Sequence, residues 1–157
     1  VRVVIIEVLS VSRRQPTWLS NVTTEYARRL VGHINLRFKH VPPGQAGTST
    51  EERLKEESKR LTKQLKPNTH TVVLDRRGKE YDSGALSAQL AHWRANFDRV
   101  ALIIGGPDGL EASFCDNAAG RWSLSELTFP HLVVQIIVAE QIYRAWSILE
   151  GHPYHRA

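Results

Sequence analysis

Hydrophobic and polar positions along the chain fall into alternating blocks of two periods. Val3 to Val11 is almost continuously apolar and β-branched, the pattern of a buried strand. A polar loop with Arg13, Arg14 and Pro16 follows, and Thr17 stands where it can cap a helix running to about Val31. Ile34, Leu36 and Phe38 alternate with polar residues, the period of a half-buried strand that Pro42-Pro-Gly-Gln-Ala-Gly47 ends. The charged stretch Glu51 to Leu65 carries only a thin apolar stripe, Leu54, Leu61 and Leu65, and reads as a surface helix opened by Thr50. Thr69 to Leu74 is a further strand, Asp75-Arg-Arg-Gly78 its closing turn, and Ser83 the cap of a helix with Leu86, Leu90, Trp93 and Phe97 on one face. Val100 to Ile104 is continuously apolar, as in a strand covered on both faces. A short helix near Glu111 to Ala119, a short strand at Arg121 to Leu124, a loop to Pro130 and a helix to about Leu149 complete the chain. Strands alternating with helices predict an α/β fold: one domain over residues 1–157, with a mostly parallel sheet and helices on both faces.

Composition narrows the class. Apolar residues at 41% and charged residues at 24% are ordinary globular values. A chain of 157 residues buries roughly 70% of the surface its unfolded form exposes. The net charge of +5 favours an anionic partner. The single Cys115 excludes an intrachain disulfide, and paired-cysteine zinc spacing is absent. The longest apolar stretch, Leu132 to Ala139, falls short of the roughly 20 residues a membrane crossing needs, so a soluble protein is expected. Val1 to Glu7 reads as a first strand rather than a signal peptide, which predicts a cytoplasmic protein, or an organellar one if a targeting segment has been removed.

Candidate chemistry gathers in the second half. Gly105-Gly-Pro-Asp-Gly109 follows the most apolar strand, where open α/β sheets place ligands and where missing side chains let backbone approach a cofactor; a sharp turn needs the same glycines. It is neither a phosphate loop nor a dinucleotide fingerprint. Ser125-Glu-Leu-Thr-Phe-Pro130 offers amides, carbonyls and hydroxyls to a ligand edge, although capping the next helix uses the same groups. Arg144 is four residues from Glu140, fitting either an ion pair or a guanidinium aimed at an anion. The tail His152-Pro-Tyr-His-Arg156 suits stacking on RNA and pairing with phosphate, or is a frayed end. His131, His152 and His155 lack the carboxylate or thiolate company of a metal site, so none is assigned.

Taken together, Leu74-Asp75, Gly105-Gly-Pro-Asp-Gly-Leu110, Ser123-Leu-Ser-Glu-Leu-Thr-Phe-Pro-His131, Glu140-x-x-Tyr-Arg-Ala-Trp146 and His152-Pro-Tyr-His155 resemble the ribosomal large-subunit pseudouridine methyltransferase H family across essentially the whole chain. The resemblance implies a SPOUT-type α/β knot, in which the C-terminal segment threads a loop to form a trefoil knot, an exception to the rule against knotted chains. It implies a cytoplasmic homodimer that uses S-adenosylmethionine to methylate N3 of a pseudouridine in large-subunit ribosomal RNA, acting on the assembled ribosome. Leu74, Gly105, Gly106, Leu124, Ser125, Glu126, Leu127, Thr128 and Phe129 would line the cofactor pocket, and Arg144, Tyr154 and His155 would lie where cofactor and RNA meet, contributed across the dimer interface. Two positions depart from the pattern: Gln135 where relatives commonly have Arg, expected to weaken a contact to RNA or across the dimer, and Ser12 where they have Gly, expected to reshape the loop after the first strand. The rival reading is a noncatalytic ribosome-binding or assembly factor that retains the knotted fold.

Overall fold

A computed structural model describes residues 2–156. Five strands, β1 (Val4–Val11), β2 (Ile34–Val41), β3 (His70–Glu80), β4 (Arg99–Ile104) and β5 (Gly120–Ser123), form one sheet in the order β2-β1-β4-β3-β5. Every neighbouring pair is parallel. Parallel strands need crossovers, and four helices supply them, α1 (Thr17–Arg29), α2 (Thr50–Gln64), α3 (Ser83–Asn96) and α4 (Ala112–Asn117), while α5 (His131–Leu149) follows the last strand. Side-chain alternation then divides the core. Val4, Ile6, Val8, Val100 and Leu102 pack with Leu90, Trp93, Val138 and Ile142 of α3 and α5 on one face, while Leu9, Val11, Ala101 and Ile103 meet Leu61 of α2 and Cys115 of α4 on the other. The sheet is thus covered on both faces, which is why β1 and β4 are so uniformly apolar.

Several boundaries differ from the sequence reading. Thr17 does not cap α1; it is the first helical residue, and Pro16 occupies the cap position with no side-chain hydrogen bond. Asp82, not Ser83, caps α3 by accepting the Ala85 N–H, and Ser49 caps α2 by accepting the Glu52 N–H, each interaction worth about 1 kcal/mol. The segment Asp75 to Gly78 does not end β3. It bulges out between two pairings with Trp122, at Leu74 and again at Lys79, so the strand resumes to Glu80. Gly78 is required there, because a Cβ would sit 2.6 Å from the Arg121 carbonyl carbon. Finally, α5 is long and apolar enough by length and composition alone to cross a bilayer. Its apolar face is instead spent on α1, α3 and the sheet, with Val138, Ala139 and Ile142 fully covered.

Candidate cofactor cleft and the distal tyrosine cluster

In a sheet ordered β2-β1-β4-β3-β5 the crossovers from β1 and β4 leave in opposite directions, and α1 and α4 pack on opposite faces. Ligands of open α/β sheets bind in the crevice at the carboxyl ends of such strands. Here a cleft of about 1000 Å³ opens over the ends of β4, β3 and β5. Its floor is apolar, from Leu74, Ile104, Trp122 and Leu124, and its walls are two turns of backbone.

The first wall is Gly105 to Gly109. The Gly109 N–H donates to the Gly106 carbonyl at 3.0 Å, closing a tight turn around Pro107 and Asp108, and Gly109 adopts a φ of +78° that favours glycine. Gly105 is fixed by crowding: a Cβ would lie 2.7 Å from the carbonyl carbon and oxygen of Gly109. The glycine at 105 therefore answers a close approach of backbone within the turn itself.

The second wall is the loop from Leu124 to Pro130. Its hydroxyls do not cap α5, whose N-terminus has no side-chain cap. Ser125 Oγ accepts the Leu127 N–H at 3.0 Å, Ser123 Oγ donates to the Ser125 carbonyl at 3.1 Å, and Thr128 Oγ1 accepts from Arg76 at 3.2 Å. The loop is thereby pinned to itself and to the bulge of β3. Leu127 lines the cleft while 68% exposed, an apolar side chain left for a ligand to cover. Of the nine residues expected at the cofactor, Leu74, Gly105, Gly106, Leu124, Ser125, Leu127, Thr128 and Phe129 line the cleft; Glu126 is exposed and does not.

The bulge of β3 was missed by sequence reasoning, because a charged turn is usually only solvated. Asp75, Arg76 and Arg77 line the mouth of the cleft. Burial acts to raise the Asp75 carboxyl, but the backbone N–H and guanidinium of Arg77, with the charge of Arg121, outweigh it and hold the group low. Cys115 also lines the cleft; burial, reinforced by Asp75, pushes its thiol up, so it stays protonated and is a poor nucleophile.

The three residues expected to do chemistry lie elsewhere in the protomer. Arg144 is 10 positions along α5 from Val134, the last residue of that helix to line the cleft, so about 15 Å of helix separates them. The tail is not frayed: His152 to His155 forms a 3₁₀ turn docked on α5, where the Tyr154 ring meets that of Tyr143 edge-on at 4.5 Å and the Trp146 ring stacks on Tyr143. Glu140 is the hub of this cluster. Its Oε1 accepts Arg144 Nη2 at 2.7 Å, Arg144 Nε at 3.0 Å and the Tyr154 hydroxyl at 3.1 Å. Burial, then hydrogen bonds from Tyr26 and to Glu140, push the Tyr154 phenol well above its ordinary range. Tyr154 is thus held as a hydrogen-bond donor, and the Arg144 guanidinium lies 5.3 Å over its ring.

His155 is held by a relay. Ser147 Oγ donates its proton to the Arg144 carbonyl at 2.6 Å and lies 3.5 Å from His155 Nδ1, a long contact that suits the Nδ1–H tautomer of the histidine. That tautomer leaves Nε2 as a free acceptor. Among the described residues no three His, Cys, Asp or Glu side chains come together as a metal site. Gln135 is 1% exposed and accepts the Gln15 side-chain amide at 3.1 Å, which ties α5 to the loop after β1. Ser12 keeps the chain extended, donating its N–H to Val41.

A family described as "Predicted SPOUT methyltransferase" matches residues 4–155. Curated relatives carry the name "Ribosomal RNA large subunit methyltransferase H". One from Alkalilimnicola ehrlichii is 46% identical over 97% of this chain and 99% of its own length. Others, from Methylococcus capsulatus and Pseudomonas putida, are 40% and 36% identical over 96% of this chain and 99% of their own.

Proposed function

This chain belongs to the SPOUT methyltransferase family, and on that premise we propose that it is the S-adenosylmethionine-dependent enzyme that methylates N3 of a pseudouridine in large-subunit ribosomal RNA on the assembled ribosome. The observation that carries the reading is the glycine-walled cleft at the carboxyl ends of β3, β4 and β5, joined to relatives that are named as methyltransferases over their full length. Those names favour catalysis over a noncatalytic binding role.

The cleft fits the cofactor on its own features. Its volume suits a ligand of that size, its floor is apolar, its walls present backbone amides and carbonyls, and the exposed Leu127 can close over a flat ring. Gly105, Gly106 and the loop from Leu124 to Phe129 hold it, with Leu74 beneath. S-adenosylmethionine supplies a methyl group on a sulfonium, electrophilic enough to need no covalent enzyme intermediate.

The work left to the protein is placement and proton management. Holding two reactants in near-attack geometry can contribute roughly 7–11 kcal/mol. The N3 proton must leave the base before or during transfer; the free Nε2 of His155, or a water it holds, accepts it. Arg144, oriented through two hydrogen bonds to Glu140, stabilises the negative charge that develops on the ring, and Tyr154 steadies both.

Because about 15 Å of α5 lies between Arg144 and Val134, the last residue of that helix to line the cleft of the same protomer, the active site is assembled between two copies. Support comes from the outward face of α5, where Val133, Ile136 and Ile137 leave apolar surface continuous with Glu140 and Arg144. The whole chain acts as one SPOUT domain, its C-terminal trefoil knot part of the same reading, and works in the cytoplasm, where its bacterial relatives' substrate lies.

The test incubates the purified protein with S-adenosylmethionine and ribosomes from a strain lacking this modification, then maps the added methyl by nucleoside mass spectrometry. A methylated pseudouridine in large-subunit RNA is expected. Methyl transfer to another RNA would overturn the substrate assignment, and absence of cofactor binding would overturn the enzyme assignment.

A further inference from the structure

A second cavity, of about 530 Å³, lies on the other side of the Gly105 to Gly109 turn, over the ends of β1 and β2. It shares Pro107, Asp108 and His131 with the cofactor cleft, so the two spaces are neighbours across one thin wall. Nothing in the cofactor reading uses it.

Its charges are unequally committed. Arg53 donates to Asp108 at 3.2 Å and to the Thr48 carbonyl at 2.6 Å, and the buried Glu57 accepts the Gly44 N–H at 2.8 Å. These groups answer one another. Arg13 and Arg14 are different: both are exposed, both line the cavity, and among the described residues neither has an ion-pair or hydrogen-bond partner. Beside them Ser12 lines the cavity with a buried Oγ that also has no partner among the described residues. Prolines 43 and 107 and Leu132 provide apolar surface. The seat is rigid, since a Cβ on Gly44 would lie 2.7 Å from the Arg53 Cα.

We propose that this cavity is a nucleotide subsite, which takes the RNA nucleotide adjacent to the target, its base against Pro43, Pro107 and Leu132 and its phosphate against Arg13 and Arg14. The inference rests on the RNA-methyltransferase reading above. An apolar recess with two free guanidiniums at its rim matches the two halves of a nucleotide, a π-face and an anion. Its position one wall away from the cofactor cleft is where the neighbour of a base presented to that cleft must lie. A second copy's tail is the competing occupant. That tail carries Arg156, which Arg13 and Arg14 would repel, so charge favours the anion.

The experiment compares wild type with an R13A/R14A double variant, both positions exposed and outside the core, and with R13K/R14K. Three quantities are read: methylation kinetics on ribosomes, binding of a fluorescein-labelled ten-uridine oligomer across a salt series, and S-adenosylmethionine affinity by calorimetry. For R13A/R14A, KM for ribosomes is expected to rise about 10-fold with kcat and cofactor affinity unchanged, and the salt slope of oligomer binding to fall by about 0.7, the value for one phosphate contact on a single strand. R13K/R14K should recover much of the salt slope but not all of the affinity. Unchanged KM and salt slope would overturn the subsite. So would loss of RNA affinity that tracks dissociation of the dimer in sedimentation velocity, since the cavity would then belong to the contact between copies. If wild type fails to methylate ribosomes while oligomer binding still depends on Arg13 and Arg14, the substrate assignment falls and the subsite stands.

Discussion

The two ends of α5 perform opposite kinds of chemistry. At the N-terminal end, a cleft is walled by turns whose shape is fixed by glycine crowding and by loop hydroxyls spent on the loop itself. At the C-terminal end, Arg144, Tyr154 and His155 are side chains with fixed protons and charges, packed against rings and organised by Glu140 and Ser147. One end offers space and backbone, with its charged groups at Asp75, Arg76 and Arg77 of the β3 bulge; the other offers charged and phenolic side chains packed into their own cluster. On the reading proposed above these are the two halves of one transfer site, and a protomer keeps them about 15 Å apart along α5. In the proposed dimer a second copy would bring its cluster to the first copy's cleft and receive the reverse.

The sharpest way to break this comparison is to disable one half in each of two protomers. Arg144→Ala is expected to lower kcat by about 10²- to 10³-fold, the usual effect of removing a group that meets developing charge, while S-adenosylmethionine still binds. Mixing Arg144→Ala with a cleft-dead variant should restore about a quarter of wild-type turnover, because half the dimers are mixed and each mixed dimer holds one intact site. Stopped-time methylation assays on the mixture read this directly. No recovery on mixing would mean that each protomer uses its own cluster. A melting curve for each variant guards against the alternative that removing Arg144 leaves the Glu140 carboxylate unpaired and loosens the fold.

The cleft-dead partner is Gly105→Ala. The added Cβ must move the Gly109 carbonyl from 2.7 Å, and overpacking of this kind typically costs about 1–3 kcal/mol. Cofactor affinity measured by calorimetry should fall by about 10- to 100-fold. The sheet core below the turn is untouched, so thermal stability should fall less than affinity does. Equal loss of both would mean that the turn serves the fold rather than the ligand.

The same contrast explains what the sequence made legible. β1 and β4 declare themselves because strands covered on both faces are predominantly apolar, with only Glu7 and Ser10 interrupting β1 and Arg99 opening β4, and the glycine turn declares itself because Gly105 and Gly109 answer backbone crowding and a positive φ. The bulge at Asp75 to Gly78 stayed hidden, since its charged run has the composition of an ordinary turn and only its second pairing with Trp122 makes it part of β3. Helix α5 misleads in the other direction: a buried helix and a membrane span share length and composition, and only its packing on α1 and α3 separates them. The distal cluster was legible as residue types and in one contact, the Glu140–Arg144 pair four residues apart, but not as a whole arrangement. Nothing in the spacing of Glu140, Ser147 and Tyr154 shows that one carboxylate orders three donors or that a serine lies against His155. Threading of a chain through its own loop leaves no periodic mark at all.

Tyr154 gives the smallest and most discriminating test. Its phenol is raised above the ordinary tyrosine value of about 10, first by burial and then by hydrogen bonds involving Tyr26 and Glu140. A raised value means that the folded state holds this proton more tightly than the unfolded state does. The resulting stability is complete below about pH 10 and is lost as pH climbs past that point. Tyr154→Phe removes the hydroxyl and with it that alkaline loss. Denaturant unfolding at neutral pH should show a cost of about 0.5–1.5 kcal/mol, and the gap between variant and wild type should narrow above pH 10. Turnover should stay within a few-fold of wild type, because a phenol locked as donor to Glu140 positions Arg144 and does not take the N3 proton. If Tyr154 were the proton acceptor instead, wild-type kcat would climb as the phenol ionised and the phenylalanine variant would lose turnover outright. The pH profile of kcat for the two proteins, measured with saturating ribosomes, separates a residue that holds the catalytic group from one that is the catalytic group.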